Sequence, residues 1–225
     1  MNTLHLQKLK QPSYLFREAL NQLKSNIEFS GGDVQTILIT SVNPNEGKSL
    51  ISFELARSFA EEGKQVCYVD ADLRKSVFTT RYQVVSDEKF AGLSSLLSKT
   101  PGAAASICKT NISNLDVIPA GRITPDPSAL FKTDRMNQLL GFLKDHYDYV
   151  IIDIAPLGVV IDAAIVAPKC DGTVIVVANN ITSARAAKRI KLQLEMANAR
   201  ILGVVFNKAT VNKDKYYHYY GEYKL

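Results

Sequence analysis

The sequence predicts an α/β fold in which a mainly parallel central sheet is flanked by helices. Two observations carry this. Short apolar runs rich in Ile and Val alternate with longer stretches of helical period, as strands buried on both faces and their covering helices require. One of these runs also passes through Asn45-Glu46-Gly47-Lys48-Ser49 directly into a helical pattern, the strand–loop–helix setting of a phosphate-binding loop.

Strands are expected at Thr36–Ser41, Gln65–Asp70, Leu115–Pro119, Tyr149–Asp153, Thr173–Ala178 and Ile201–Asn207. Each is short, apolar and bounded by polar or turn-forming residues. Helices are expected near Tyr14–Ile27, Ser49–Glu62, Pro127–His146 and Thr182–Asn198. In the last, Ala184, Ala187, Ile190, Leu194 and Ala197 recur at spacings of three and four. That leaves Arg185, Lys188, Arg189 and Lys191 on a solvated outer face. The chain therefore divides into an N-terminal helical segment (1–30) serving self-association, a P-loop domain (31–210) and a tail (211–225). From Lys208 to Leu225 no apolar period is visible, and this stretch reads as mobile.

At 225 residues, with 46% hydrophobic and 22% charged, the composition is that of a soluble globular domain. No apolar run approaches the roughly 20 residues of a membrane-spanning helix, and Met1–Lys10 lacks the pattern of a secretion signal. A cytoplasmic protein is expected. The scattered cysteines Cys67, Cys108 and Cys170 favour reduced, packed thiols over a disulfide framework. The net charge of +5 selects no partner by itself, and none of nucleic-acid type is expected.

The loop's chemistry follows from its setting. Backbone amides and the helix N-terminus concentrate positive potential on phosphate groups. Lys48 can bridge the β- and γ-phosphates, and the Ser49 hydroxyl can ligate Mg²⁺. Asn45, Glu46, Gly47 and Leu50 complete the expected nucleotide contacts. Val42 stands where such loops usually carry their first glycine, and Asn45 replaces a common middle glycine, which asparagine's tolerance of left-handed backbone permits. Two further strands end in acids, Asp70-Ala71-Asp72 and Asp153. Since the carboxyl ends of parallel strands line the ligand crevice, these carboxylates should converge on Lys48 and Ser49. Ser49, Asp72 and Asp153 are then the expected Mg²⁺ ligands, and the P-loop NTPase fold with ATP and Mg²⁺ as cofactors is the expected reading.

These residues resemble the bacterial tyrosine kinases of capsule and exopolysaccharide synthesis, in the form where the kinase is a separate cytoplasmic chain. The resemblance spans nearly the whole length. Pro44–Ser49 resembles the family's first Walker motif, Val69–Arg74 its additional A′ motif, and Val150–Pro156 its second Walker motif, followed by a familiar Val160-Ile161-Asp162-Ala163. The most specific likeness is the tail, where Tyr216, Tyr217, Tyr219, Tyr220 and Tyr223 account for five of the ten tyrosines. The family's Glu-x-x-Arg-x-x-Arg assembly motif is represented by Glu18, Asn21 and Lys24, so both arginines are replaced and the octameric ring is not implied.

The resemblance implies a protein-tyrosine autokinase acting on that cluster. Its implied partners are a transmembrane polysaccharide co-polymerase that activates it at the inner face of the plasma membrane, and a tyrosine phosphatase that resets it. Lys48, Asp70, Asp72 and Asp153 become the expected catalytic set, with Asp70 orienting the acceptor hydroxyl and Asn207 reaching the adenine. Lys213, Lys215 and Lys224 against Asp214 and Glu222 give the tail about +1, and five phosphates of about −1.5 to −2 each would bring it to roughly −6.5 to −9. Phosphorylated tails are thus expected to repel one another and the acid-rich sites, dissolving the oligomer. The rival readings are a ParA/MinD-type ATPase switch, whose signature lysine position is Asn43 here, and a non-catalytic nucleotide-binding scaffold.

Overall fold

The computed structural model describes residues 2–86, 88–99 and 106–209. In chain order its strands are β1 (Thr3–Leu6), β2 (Thr36–Ser41), β3 (Val66–Asp70), β4 (Val84–Ser86), β5 (Cys108–Thr110), β6 (Leu115–Ile118), β7 (Tyr149–Asp153), β8 (Gly172–Ala178) and β9 (Ile201–Asn207). They form one sheet of order β4-β1-β5-β6-β3-β7-β2-β8-β9. From β6 to β9 every neighbouring pair is parallel. All six strands expected from the sequence are present, with ends shifted by at most one residue. The short strands β1, β4 and β5 extend the sheet beyond them and introduce its antiparallel pairs. The N-terminal segment is accordingly not helical alone, since β1 belongs to the central sheet.

The helices are α1 (Tyr14–Phe29), α2 (Lys48–Glu61), α3 (Phe78–Arg81), α4 (Leu93–Ser98), α5 (Pro127–Phe131), α6 (Asp134–His146), α7 (Asp162–Val166) and α8 (Ala184–Met196). The single helix expected over Pro127–His146 is two. Phe131 and Met136 are both fully buried, yet five residues apart on one helix they would point about 140° apart. The break at Lys132–Thr133 lets both reach the core.

Strand alternation divides that core between the two faces of the sheet. On β2, Ile37 and Ile39 join Phe53, Phe59 and Tyr68 beneath α1 and α2. Leu38 points the other way, into the cluster containing Leu140, Leu143, Ile190 and Leu194. Truncating a fully buried leucine such as Leu38 to alanine costs about 2–5 kcal/mol. α1 begins at Ser13, whose hydroxyl accepts the Phe16 amide, and buries Leu20, Lys24 and Ile27. The buried Lys24 ammonium pairs with Glu62 beyond the end of α2. All three cysteines are buried, and none forms a disulfide among the described residues. Because β2, β3, β7 and β9 are parallel, the loops leaving them meet at one edge.

Candidate active site

Beyond β2 the chain folds around its own glutamate. Glu46 is 1% exposed. Its Oε2 accepts the Val42 and Asn43 amides, each at 2.8 Å, and its Oε1 accepts Asn43 Nδ2 at 2.9 Å and the Thr182 hydroxyl. The Glu46 side chain is therefore a brace inside the loop, and only its backbone faces outward. Gly47 caps α2 with φ of +96°, and a Cβ there would lie 2.1 Å from Asn207 Nδ2. Glycine is required on both counts. Asn45 adopts the left-handed backbone (φ 64°) anticipated for it.

The five successive amides from Asn45 to Ser49 have no acceptor among the described residues. Together with the N-terminus of α2 they form an anion cradle. The Leu50 amide is not part of it, because it donates to Gly47 O at 3.1 Å. Two residues at the end of β9 clamp the loop from the side: Asn207 Nδ2 donates to Glu46 O and Lys208 Nζ to Asn45 O, both at 2.8 Å. Asn207, expected from the resemblance to reach the adenine, thus holds the loop through its side-chain amide. Lys208, which opens the stretch lacking an apolar period, is held against the loop beside it.

Behind the cradle, Lys48 Nζ lies 3.1 Å from Asp153 Oδ1, 3.4 Å from Asp72 Oδ2 and 3.2 Å from Ser49 Oγ. Burial works against its charge, but Asp153 and Asp72 outweigh it and hold the lysine above its ordinary pKa. Asp70 and Asp153 stand opposite one another in the β3–β7 register. Burial, and after it the Asp153 charge, push the Asp70 carboxyl up to about 7, against a partial offset from Ser76 and Lys48. Tyr68 donates its hydroxyl to Asp153 Oδ2 at 3.2 Å.

The acids converge as expected, but they are not equivalent. Asp72 lines the cavity of about 230 Å³ beside Lys48 and Ser49, whereas Asp70 and Asp153 lie behind it. Asp70 is 2% exposed, with Oδ1 accepting the Asp72 amide at 3.3 Å and Oδ2 the Ser76 hydroxyl. An acceptor hydroxyl does not reach a carboxylate enclosed in this way. Asp70 instead fixes the backbone of Asp72, whose own Oδ1 accepts the Lys75 amide at 2.9 Å.

One residue further, Arg74 forks onto Asp162 at 2.7 and 3.0 Å and reaches Ser128 Oγ at 3.1 Å. This ties the segment after β3 to α5 and α7. Among the described residues no three His, Cys, Asp or Glu side chains form a metal cluster. Mg²⁺ needs none, since it takes one or two carboxylates and completes its shell with water and phosphate oxygens. Ser49, Asp72 and Asp153 each place a hard oxygen within 3.4 Å of Lys48 Nζ, Ser49 and Asp72 lining the cavity and Asp153 behind it. Oxygen donors of this kind suit the ion.

An AAA-domain family matches residues 34–202. The chain is 42% identical to the tyrosine-protein kinase CpsD of Streptococcus pneumoniae over 208 residues, covering 92% of this chain and 91% of that one. It belongs to the bacterial tyrosine kinases. The crystal structure of the chimerical protein CapA2B2 superposes on this kinase with a TM-score of 0.82 at 33% identity, covering 92% of this chain and 93% of the other. The septum-site protein MinD of Pyrococcus horikoshii, at 21% identity, TM-score 0.64, and 77% and 70% coverage, shares the P-loop nucleotide-binding fold alone.

Sequence reasoning missed several residues of the kinase site. Tyr68 had a readable signal, because it precedes Asp70 by two positions on a strand and so shares its face. Thr182 and Ser76 had none, as each lies in a connecting segment whose path only the tertiary fold defines. The acceptor candidates Tyr216, Tyr217, Tyr219, Tyr220 and Tyr223 lie outside the described residues.

Proposed function

We propose that this kinase transfers the γ-phosphoryl group of ATP to its own C-terminal tyrosines, and that the modification regulates capsular or exopolysaccharide synthesis and export. The observation that carries this is the placement of Lys48 Nζ within 3.4 Å of Ser49, Asp72 and Asp153, beside an open row of loop amides. The tail leaves β9 at this same edge of the sheet. β9 lies four strand spacings from β3, or roughly 19 Å. The seven residues from Ala209 to Tyr216 span up to about 23–25 Å when extended.

In this reading the Asn45–Ser49 amides cradle the phosphates, and Lys48 neutralises the oxygens of the group being transferred. Ser49 and one oxygen of Asp72 would hold Mg²⁺, with Asp153 behind them acting through a water, and the ion would supply charge neutralisation on the phosphates. Asp72 meets the incoming phenol and orients it, while Asp70 and Tyr68 fix the two carboxylates. A new bond forms between the tyrosine oxygen and the γ-phosphorus as the bond to the β–γ bridging oxygen breaks and ADP departs. A carboxylate is a weak base toward a phenol of pKa about 10, so the proton leaves late and orientation matters more than its abstraction.

The family resemblance supports a transmembrane polysaccharide co-polymerase as the activating partner, peripheral recruitment to the inner membrane face, and a phosphatase that resets the tail. No helix among the described residues is long and apolar enough to cross a membrane. Self-association draws on surfaces other than Lys24, whose ammonium is already engaged by Glu62. The deciding experiment is mass spectrometry of the tail after incubation with Mg²⁺-ATP, comparing wild type with Lys48→Met. Multiple phosphotyrosines are expected in the wild type and none in the variant. A wild-type tail left unmodified, even with the adaptor's cytoplasmic segment present, refutes the reading.

A further inference from the structure

A second, larger hollow adjoins the catalytic cavity. It encloses about 830 Å³, and Asp72, Arg74 and Lys75 belong to the walls of both. Its apolar surface comes from Phe90, Pro119 and Ile123, and its remaining cations are Lys75, Lys89 and Arg122. All three of these are exposed, and none has an acidic partner or a side-chain hydrogen bond among the described residues. The other two charged groups are already committed. Arg74 is forked onto Asp162, and Asp72 faces Lys48 and the Lys75 amide. An apolar surface with one aromatic ring, Phe90, rimmed by unpaired cations is complementary to an aryl phosphate, with the ring against Phe90 and Ile123 and the oxygens among the cations.

We propose that this groove is a phosphotyrosine-binding subsite that retains the kinase's own phosphorylated C-terminal tail. The inference rests on the autophosphorylation reading above. Charge complementarity selects the modified form. The unmodified tail, at about +1, gains nothing from three further cations, whereas each phosphate adds about −1.5 to −2. Reach allows the chain's own tail. The groove's walls follow β3 and β6, which lie four and five spacings from β9, or roughly 19–24 Å. Tyr219 and Tyr220, ten and eleven residues beyond Ala209, extend to about 33–40 Å. Repulsion between a phosphorylated tail and the acid-rich site arises from the carboxylates alone. Beside Asp72 the local sign is reversed.

The test is fluorescence anisotropy of a labelled synthetic peptide of residues 213–225, titrated with the full-length kinase at low salt. With phosphate placed on Tyr219 and Tyr220, the peptide is expected to bind at least tenfold more tightly than its unphosphorylated form. Combined Lys75→Ala, Lys89→Ala and Arg122→Ala substitution, made on exposed side chains, should abolish at least that tenfold preference with the melting temperature unchanged. Inorganic phosphate at the peptide's concentration should leave the complex intact. Equal affinity for the two peptides, an unaffected triple variant, or displacement by inorganic phosphate alone would each overturn the proposal. Because the phosphates are installed by synthesis, failure here leaves tail autophosphorylation standing. Failure of autophosphorylation would appear separately, in the mass spectrum.

Discussion

At the edge of the sheet where the parallel strands begin, Asp171 is surrounded by donors; at the edge where they end, Asp70 is surrounded by acids. Asp171 Oδ2 accepts the Thr36 amide at 2.9 Å, the Thr36 hydroxyl at 2.8 Å and the Gln35 amide at 3.2 Å, while Lys144 holds Oδ1 at 2.8 Å. Partial burial opposes its ionisation, but the Lys144 and Thr36 hydrogen bonds outweigh that and hold its carboxyl below the ordinary range. Asp70 moves the other way, to about 7, through burial and the charge of Asp153. One residue type thus does two jobs. Asp171 pins the starts of β2 and β8 together, much as Asp148 receives the Gln65 amide at 2.7 Å before β3. The acids at the far end share a single ammonium, a crowding of like charges characteristic of functional sites.

The contrast is sharpest for Asp72→Asn. Removing the carboxylate that faces the cavity should lower the rate of tail phosphorylation about 10²–10³-fold, as loss of one transition-state contact does elsewhere. Asp70→Asn should cost roughly tenfold, because it acts only through the Asp72 backbone. Equal losses from the two would erase the distinction between the enclosed and the facing acid. At the opposite edge, Asp171→Ala should cost about 2–3 kcal/mol by orphaning charge-assisted hydrogen bonds. For a chain this long that lowers the melting temperature by roughly 4–12 °C, with activity per folded molecule unchanged. The pH dependence has a definite sign. A depressed folded pKa makes the Asp171 contribution complete above the unfolded value of about 3.9 and removes it as pH falls through the lower folded value. The stabilities of wild type and Asp171→Ala, compared by denaturant unfolding, should therefore converge in acid. A gap that stayed constant would show that Asp171 acts by shape and not by charge.

Five of the six expected strands were legible because a strand buried on both faces leaves a continuous apolar run. The sixth, β9, is apolar although it forms the sheet's edge with Val204 and Phe206 exposed. The loop was legible because Gly47, Lys48 and Ser49 sit between such a run and a helix. The short strands β1, β4 and β5 were not, since three or four residues of mixed burial carry too little period to register, unlike the four continuously buried residues of β6. The break between α5 and α6 was hidden for a different reason. Lys132-Thr133-Asp134 contains no helix breaker, and only the need to bury both Phe131 and Met136 stops the helix. Within the site, the convergence of Asp70, Asp72 and Asp153 could be read from strand ends. Their division into one facing and two enclosed acids could not. Tyr68, which helps create that division, is marked by its spacing of two from Asp70 on β3, whereas Ser76 leaves no mark in local spacing. Asp171, between Cys170 and Gly172, gains its role only when the fold brings Thr36 beside it.

The smallest expected effect tests how the ends of the parallel strands cooperate. The Thr182 hydroxyl donates to the buried Glu46 carboxylate and accepts the Ala178 amide at 2.9 Å, linking the end of β8 to the loop after β2. Thr182→Val removes both bonds with little change of volume. Glu46 keeps the Val42 and Asn43 amides and Asn43 Nδ2, so the loop should hold its shape less firmly without losing it. The expected cost is about 1–2 kcal/mol of stability. Because the loop amides bind phosphates in the ground state and the transition state alike, the kinetic effect should be a KM for ATP raised several-fold with kcat nearly unchanged. Asp72→Asn should do the reverse, depressing kcat. If Thr182→Val instead lowered kcat and left KM alone, Glu46 would have to be placing Lys48 against the acids, and the brace would belong to the chemistry of the site and not to its phosphate grip.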